Sequence, residues 1–252
     1  MPTRARYGTW RSPLAASALA RDAVRLSGVV LDGDRVYWLE GRPAEGGRSV
    51  VVERLPDGTR RDVTPPGTNV RNRVHEYGGG AHAVHDGVIY YTEFADGRIY
   101  RIRPGGQPEP MTLAGPWRFA DLVISPDGRT LVAVREDHSR KNRGVVNTLV
   151  CFEIRDTPRQ PTVFASGSDF YASPRFNDSG TRLCWLSWRH PHMPWESTEL
   201  WMAEVTADGT VRPPARLAGA ERESVFQPGW SPDGTLYFVS DRSGWWNLYW
   251  WT

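Results

Sequence analysis

Turn residues punctuate this sequence at regular intervals, and a run of apolar residues follows each one. Asp32-Gly33 precedes Arg35-Val36-Tyr37-Trp38-Leu39, and Asp86-Gly87 precedes Val88-Ile89-Tyr90-Tyr91. Ser125-Pro126-Asp127-Gly128 leads into Thr130-Leu131-Val132-Ala133-Val134, and Asn177-Asp178-Ser179-Gly180 into Leu183-Cys184-Trp185-Leu186. The last copy is Ser231-Pro232-Asp233-Gly234 followed by Leu236-Tyr237-Phe238-Val239. Asp-Gly supplies the positive φ that a two-residue hairpin turn demands. The run after each turn is apolar at consecutive positions, which predicts a strand buried on both faces. The next segments, 49–55, 98–103, 147–154, 199–205 and 247–251, are more amphipathic and read as outer, partly solvated strands.

The turns at 32, 86, 127, 178 and 233 stand 41 to 55 residues apart, the length of one four-stranded propeller blade. The expected fold is therefore all-β: a β-propeller with about four complete four-stranded blades and a partial fifth that lacks its outer strand. Two origins for the missing strand are open. The N-terminal stretch 24–31 could supply it and close the ring, or the chain is the truncated N-terminal part of a longer polypeptide. Residues 1–30 read as a lead-in and 31–252 as the incomplete propeller. Within the lead-in, 13–26 is the best helix candidate, with Ser12 to cap it and Pro13 in its first turn. Proline- and glycine-rich stretches at 64–68, 104–110 and 213–214 read as connections.

Composition narrows the function classes. The 252 residues carry a net charge of +2 with both signs interspersed, so no clustered basic face marks a nucleic-acid partner. No apolar run approaches the ~18 residues of a membrane span. The basic N-terminus (Arg4, Arg6, Arg11) precedes a small-residue stretch that Arg21 and Asp22 interrupt, which argues against a secretory signal. Cys151 and Cys184 both lie inside apolar runs and read as free thiols of a cytoplasmic protein. Lys141 is the only lysine; with abundant Ala, Gly and Pro this suggests a bacterial source of GC-rich DNA.

Three segments carry candidate chemistry. In His75-Glu76-Tyr77-Gly78-Gly79-Gly80 the glycines permit close backbone approach, and the carboxylate and imidazole could meet a peptide's amino terminus. The alternative is a structural corner with Glu76 satisfied by backbone amides. In Trp188-Arg189-His190-Pro191-His192-Met193-Pro194-Trp195-Glu196, Trp188, Trp195 and Met193 offer an apolar surface, and Arg189 and Glu196 could read charged peptide ends. His190 and His192 also invite a metal reading, but a zinc site needs three or four ligands and no third is evident, so no metal or other cofactor is expected. Glu136-Asp137-His138 could mimic an acid–base cluster and is more simply a hydrogen-bonded strand end. The twelve Trp residues are most simply inter-blade packing. A sugar-stacking role is the rival, but Asp and Gly are adjacent in every Ser-Pro-Asp-Gly turn, unlike a sialidase-type aspartate box.

The Ser-Pro-Asp-Gly turn, the apolar strand and Ser240-Asp241-Arg242-Ser243-Gly244-Trp245-Trp246-Asn247-Leu248-Tyr249 together resemble the blade of TolB-type propellers. Gly8-Thr9-Trp10-Arg11-Ser12-Pro13, Arg73 to Gly80, Val134-Arg135-Glu136-Asp137-His138 and the stretch from Trp185 to Leu200 are similar to the propeller of prolyl oligopeptidase-family serine peptidases, of the bacterial acylaminoacyl- or dipeptidyl-peptidase kind. The resemblance implies a C-terminal α/β-hydrolase domain as partner, carrying a Ser, Asp and His triad, with the propeller gating access of short peptides. The chain has no Gly-x-Ser-x-Gly nucleophile elbow, so no catalytic residue is expected in it and it is expected to be inactive alone. A stand-alone TolB-like propeller acting as a binding scaffold is the alternative.

Overall fold

The computed structural model describes residues 4–10, 23–140 and 144–252. Its strands form five antiparallel sheets, each in simple chain order. Blade 1 holds β1 (Arg25–Asp32), β2 (Arg35–Arg42), β3 (Arg48–Arg54) and β4 (Arg60–Asp62). Blade 2 holds β5 (His82–His85), β6 (Val88–Thr92), β7 (Ile99–Ile102) and β8 (Glu109–Pro110). Blade 3 is β9 (Trp117–Ile124), β10 (Thr130–Asp137), β11 (Val146–Glu153) and β12 (Thr162–Ala165). Blade 4 is β13 (Phe170–Phe176), β14 (Arg182–Trp188), β15 (Glu199–Glu204) and β16 (Ala215–Ala218). Blade 5 has three strands, β17 (Val225–Trp230), β18 (Leu236–Ser240) and β19 (Asn247–Trp251).

The fold is thus a β-propeller of five blades, rather than four and a remnant. The fifth sheet is a blade in its own right, because Val225, Leu236 and Phe238 are buried against Cys184, Leu186 and Leu200 of blade 4. The stretch 24–31 does not complete blade 5; it contributes β1, paired with β2, so the first blade begins at Arg25 within the expected lead-in. The helix expected over 13–26 lies mostly outside the described residues, and its last positions, Arg25 and Leu26, are strand.

Four apolar cores explain the consecutive apolar positions, one for each blade-to-blade seam. Successive side chains of a strand point to opposite faces. In β6, Ile89 and Tyr91 pack toward Tyr37 and Val51 of blade 1, while Tyr90 packs toward Phe119 and Val150 of blade 3. In β10, Leu131 and Ala133 serve the seam with blade 2, and Val132 and Val134 the seam with blade 4. In β14, Leu183 and Trp185 face blade 3, and Cys184 and Leu186 face blade 5. Cys151 and Cys184 are free, and burial pushes the Cys184 thiol up to about 12, an inert packing group.

The first strands of successive blades lie side by side around the axis. Four of them, all but β5, break register at a residue with positive φ: Gly28, Asp121, Ser173 and Gln227. Asp121 uses its bulge to join three blades. Its backbone N–H donates to Gly80 O (2.7 Å), its Oδ1 accepts from Gly80 N (2.6 Å), and its Oδ2 accepts from Ser173 N (2.8 Å). A Cβ at Gly79 or Gly80 would lie 2.9 Å from Asp121 Oδ1, so the glycines are what allow blade 2 to reach this carboxylate.

Two predictions follow from these seams. Asp121→Ala strips a charged acceptor from two backbone donors and should lower unfolding stability by about 2–4 kcal/mol in urea; an unchanged midpoint would remove Asp121 from the account. His82 sits on β5, with its ring against Gly28 and its Nε2 buried without a partner, and burial pushes its imidazole from 6.5 down to about 4. The unfolded chain therefore takes up this proton first as pH falls. The stabilisation is complete above about pH 6.5 and is lost as pH drops toward 4, by about 3 kcal/mol in all. His82→Gln should flatten the pH dependence of unfolding across that window; an undiminished slope would assign it to other groups.

Candidate functional site

In antiparallel blades joined in chain order, the Asp-Gly turns all fall at one end of the propeller. The opposite end collects the connections between second and third strands and those between blades. Both segments singled out in the sequence, 75–80 and 188–196, lie at that opposite end, the first ahead of β5 and the second between β14 and β15.

The loop ahead of β5 is built around Asn72. Its Oδ1 accepts from Val74 N (3.3 Å) and Gly79 N (2.9 Å), and its Nδ2 donates to Gly79 O (3.1 Å), so one buried amide holds both limbs together. Between the limbs His75 and Glu76 take left-handed backbone with φ of 55° and 67°. Non-glycine residues there cost about 1–3 kcal/mol each and persist only where the surroundings impose them. The imposing group is Glu136, at the end of β10. Its buried carboxylate accepts from the His75 backbone N–H at 2.6 Å through Oε1, and its Oε2 lies 3.0 Å from His138 Nε2. Arg118 on β9 completes the arrangement, donating through Nη1 to Arg73 O and to Glu76 Oε1, both at 3.0 Å, and standing 3.7 Å from Glu136 Oε2.

The strained backbone aims His75 and Glu76 in different directions. The Glu76 side chain is 82% exposed, and its partner is Arg118 rather than the backbone amides considered from sequence. His75 turns inward and meets Phe170 at 5.2 Å and Trp188 at 5.4 Å, edge-on to both. Its Nε2 is buried without a partner, and burial holds its imidazole below the ordinary value despite the nearby carboxylates of Glu136 and Asp121. Phe170 stacks on Trp188 (5.2 Å) and takes His190 edge-on (4.8 Å), while Tyr77 leans toward His75 at 5.8 Å and is 66% exposed. The structure therefore brings His75, Tyr77, Trp188 and His190 into one aromatic cluster, with Phe170 as its hub, while the Glu76 side chain turns to Arg118.

The remaining candidates lie in the loop between β14 and β15. Arg189 donates to Gly167 O, Glu196 Oε2 accepts from Met193 N at 2.7 Å, and His192 N donates to Arg189 O at 3.0 Å. These contacts shape the loop between β14 and β15. Thr198 N donates to Glu223 O (2.9 Å) and Ser224 Oγ to Pro194 O (2.7 Å), which fastens the loop to the approach of blade 5. Trp195 is left 64% exposed at the loop's crest. No group of three or more His, Cys, Asp or Glu placed to hold a metal occurs among the described residues. Phe170, Arg118 and Asn72 were not singled out from sequence. They lie outside any recognisable motif and acquire their roles only when blades 2, 3 and 4 meet.

Neither a protein-family model nor a curated protein sequence matches the chain. Solved structures do. A puromycin-hydrolyzing peptidase of Mycobacterium tuberculosis is 35% identical over 97% of this chain, with a TM-score of 0.85. A puromycin hydrolase crystallised as an S511A mutant with the ligand PGG is 34% identical over 98% of it, with a TM-score of 0.90. The chain belongs to the prolyl oligopeptidase family. It corresponds to the family's N-terminal propeller, and it spans 40% of the length of each of these two relatives, in which the propeller is joined to a hydrolase domain in the same chain. TolB of Acinetobacter baumannii, 14% identical with a TM-score of 0.56, shares the propeller fold. Among the described residues of this family member, no helix is long and apolar enough to cross a membrane.

Proposed function

We propose that this propeller gates and partly lines the active site of a cytoplasmic peptidase, admitting short peptides to a hydrolase domain that follows it in the full polypeptide. One observation carries the reading: the cluster of Tyr77, His75, Phe170, Trp188 and His190 at one end of the propeller, with the exposed Glu76 carboxylate on the same loop as His75 and Tyr77. Such a surface matches a peptide's leading residue, with a carboxylate for the α-ammonium and aromatic faces for an apolar side chain. The likeness to peptidases at 34–35% identity supports it. The chemistry belongs to the hydrolase domain, since this chain carries no nucleophile elbow. The propeller's contribution is to position and select.

Glu76→Gln keeps the shape of the site and removes the charge. In the full-length enzyme it should raise KM for free-amine peptides about tenfold, the worth of one charge-assisted hydrogen bond, with kcat and the KM for N-acetylated peptides little changed. Equal loss on acetylated and free peptides would mean that Glu76 supports the loop and does not read the amino terminus.

A further inference from the structure

The loop around Asn72 has a second side. Between blades 2 and 3 it borders a cavity of about 290 Å³ lined by Arg73, Glu93, Phe94, Trp117, Arg118 and His138. The guanidinium carbons of Arg71 and Arg73 lie 5.1 and 4.6 Å from the centroid of the same Phe94 ring. No ion pair among the described residues engages either of them, whereas Arg118 is paired with Glu76. Two like charges held against one aromatic ring raise the local positive potential, which an anion beside them would relieve.

The acidic side chains of the wall are committed elsewhere. Glu93 accepts from Asn69 N through both oxygens (3.3 and 3.1 Å) and from Ala95 N (3.3 Å). Asp96 accepts from Arg98 N (3.0 Å) and from the Tyr100 hydroxyl (2.7 Å). Burial also holds the Glu93 carboxyl above its ordinary value. Arg118 spends one nitrogen on Arg73 O and Glu76, leaving the other N–H groups of its fork for a ligand.

We propose that this cavity binds an oxyanion group, a carboxylate or a phosphate, with Arg73 and Arg118 as its principal donors and Arg71 supplying further positive charge. The site adjoins the Glu76 carboxylate, whose Oε1 lies 3.0 Å from Arg118 Nη1, so the anion takes the N–H groups of that guanidinium that Glu76 leaves free. Because Arg118 also holds Glu76 and the Arg73 carbonyl, an anion drawn to it sits within one side chain of the strained backbone at 75–76. A peptide acid and a phosphorylated small molecule offer the same recognition chemistry here.

The test is an amide and indole chemical-shift titration of the full chain with three probes: inorganic phosphate, triglycine and triglycine amide. Saturable shifts at Gly97, Trp117 and Arg118 are expected with phosphate or triglycine, and weaker ones with the amide. Phosphate without triglycine would identify a phosphate ligand, and the reverse a carboxylate. Arg73→Ala and Arg118→Ala should each weaken binding about tenfold. Arg129→Ala, at the opposite end of the propeller, should leave it unchanged. Arg73→Lys, which keeps the charge and loses the planar stack, guards against misfolding and should give an intermediate loss. Absence of saturation with both anions up to roughly 50 mM, where a single site contributes under ~2 kcal/mol, would overturn the assignment. So would binding that both alanine variants leave intact, or an amide response equal to that of the acid without any phosphate response. The phosphate arm reads the site whether or not the peptidase reading holds.

Discussion

A single carboxylate at the axis sets the geometry on which the site depends. Asp121 accepts from Gly80 on one side and Ser173 on the other, and so fixes blades 2 and 4 relative to blade 3. Charge-assisted bonds to backbone N–H groups are short and strong, and these two are made where three sheets converge. The apolar seams supply the bulk of the burial, but they are non-directional and would tolerate sliding of one blade on another. The Asp121 bonds do not. They also place Gly80, and with it the whole loop from Asn72, at a fixed height against the ends of β10 and β13.

From that anchor the candidate site is built by imposed strain. Asn72 and Glu136 hold His75 and Glu76 in left-handed backbone, which splits the two side chains between an aromatic interior and open solvent. Glu136 itself is buried, with the Arg118 guanidinium 3.7 Å and His138 Nε2 3.0 Å from its Oε2. A buried carboxylate without such partners would be costly, and losing one of them costs more than the pair contributes. The loop, the carboxylate and the arginine are therefore one unit shared by two blades. Through Arg118 this unit also forms part of the wall of the basic cavity.

Much of the fold was legible because two-sided burial leaves a strong mark. Ile89-Tyr90-Tyr91 and Leu183-Cys184-Trp185-Leu186 cannot alternate when each face meets another blade, and Asp-Gly turns announce the preceding hairpin. The first strands were harder to read. β1 and β17 carry exposed apolar side chains, Leu26, Leu31 and Phe226 among them, and bulges at Gly28 and Gln227 break their period, so 24–31 did not read as the opening strand of a blade. At the site, the sequence pointed to His75, Tyr77, Trp188 and His190 through unusual local composition. It was silent on Phe170, Arg118 and Asp121, whose neighbours lie 41 to 52 residues away along the chain where the structure joins them by hydrogen bonds. Arg189 and Glu196 make hydrogen bonds within or beside their own loop, contacts that composition does not foretell.

The central claim is that this propeller works as one part of a hydrolytic enzyme. The most direct measurement is the intact mass of the native protein from its source after exposure to a fluorophosphonate probe, which labels an activated serine. A species well above 28.4 kDa that takes up one probe per chain is the predicted result. An unlabelled species of 28.4 kDa would contradict it and leave a free-standing propeller whose aromatic end serves a binding partner instead.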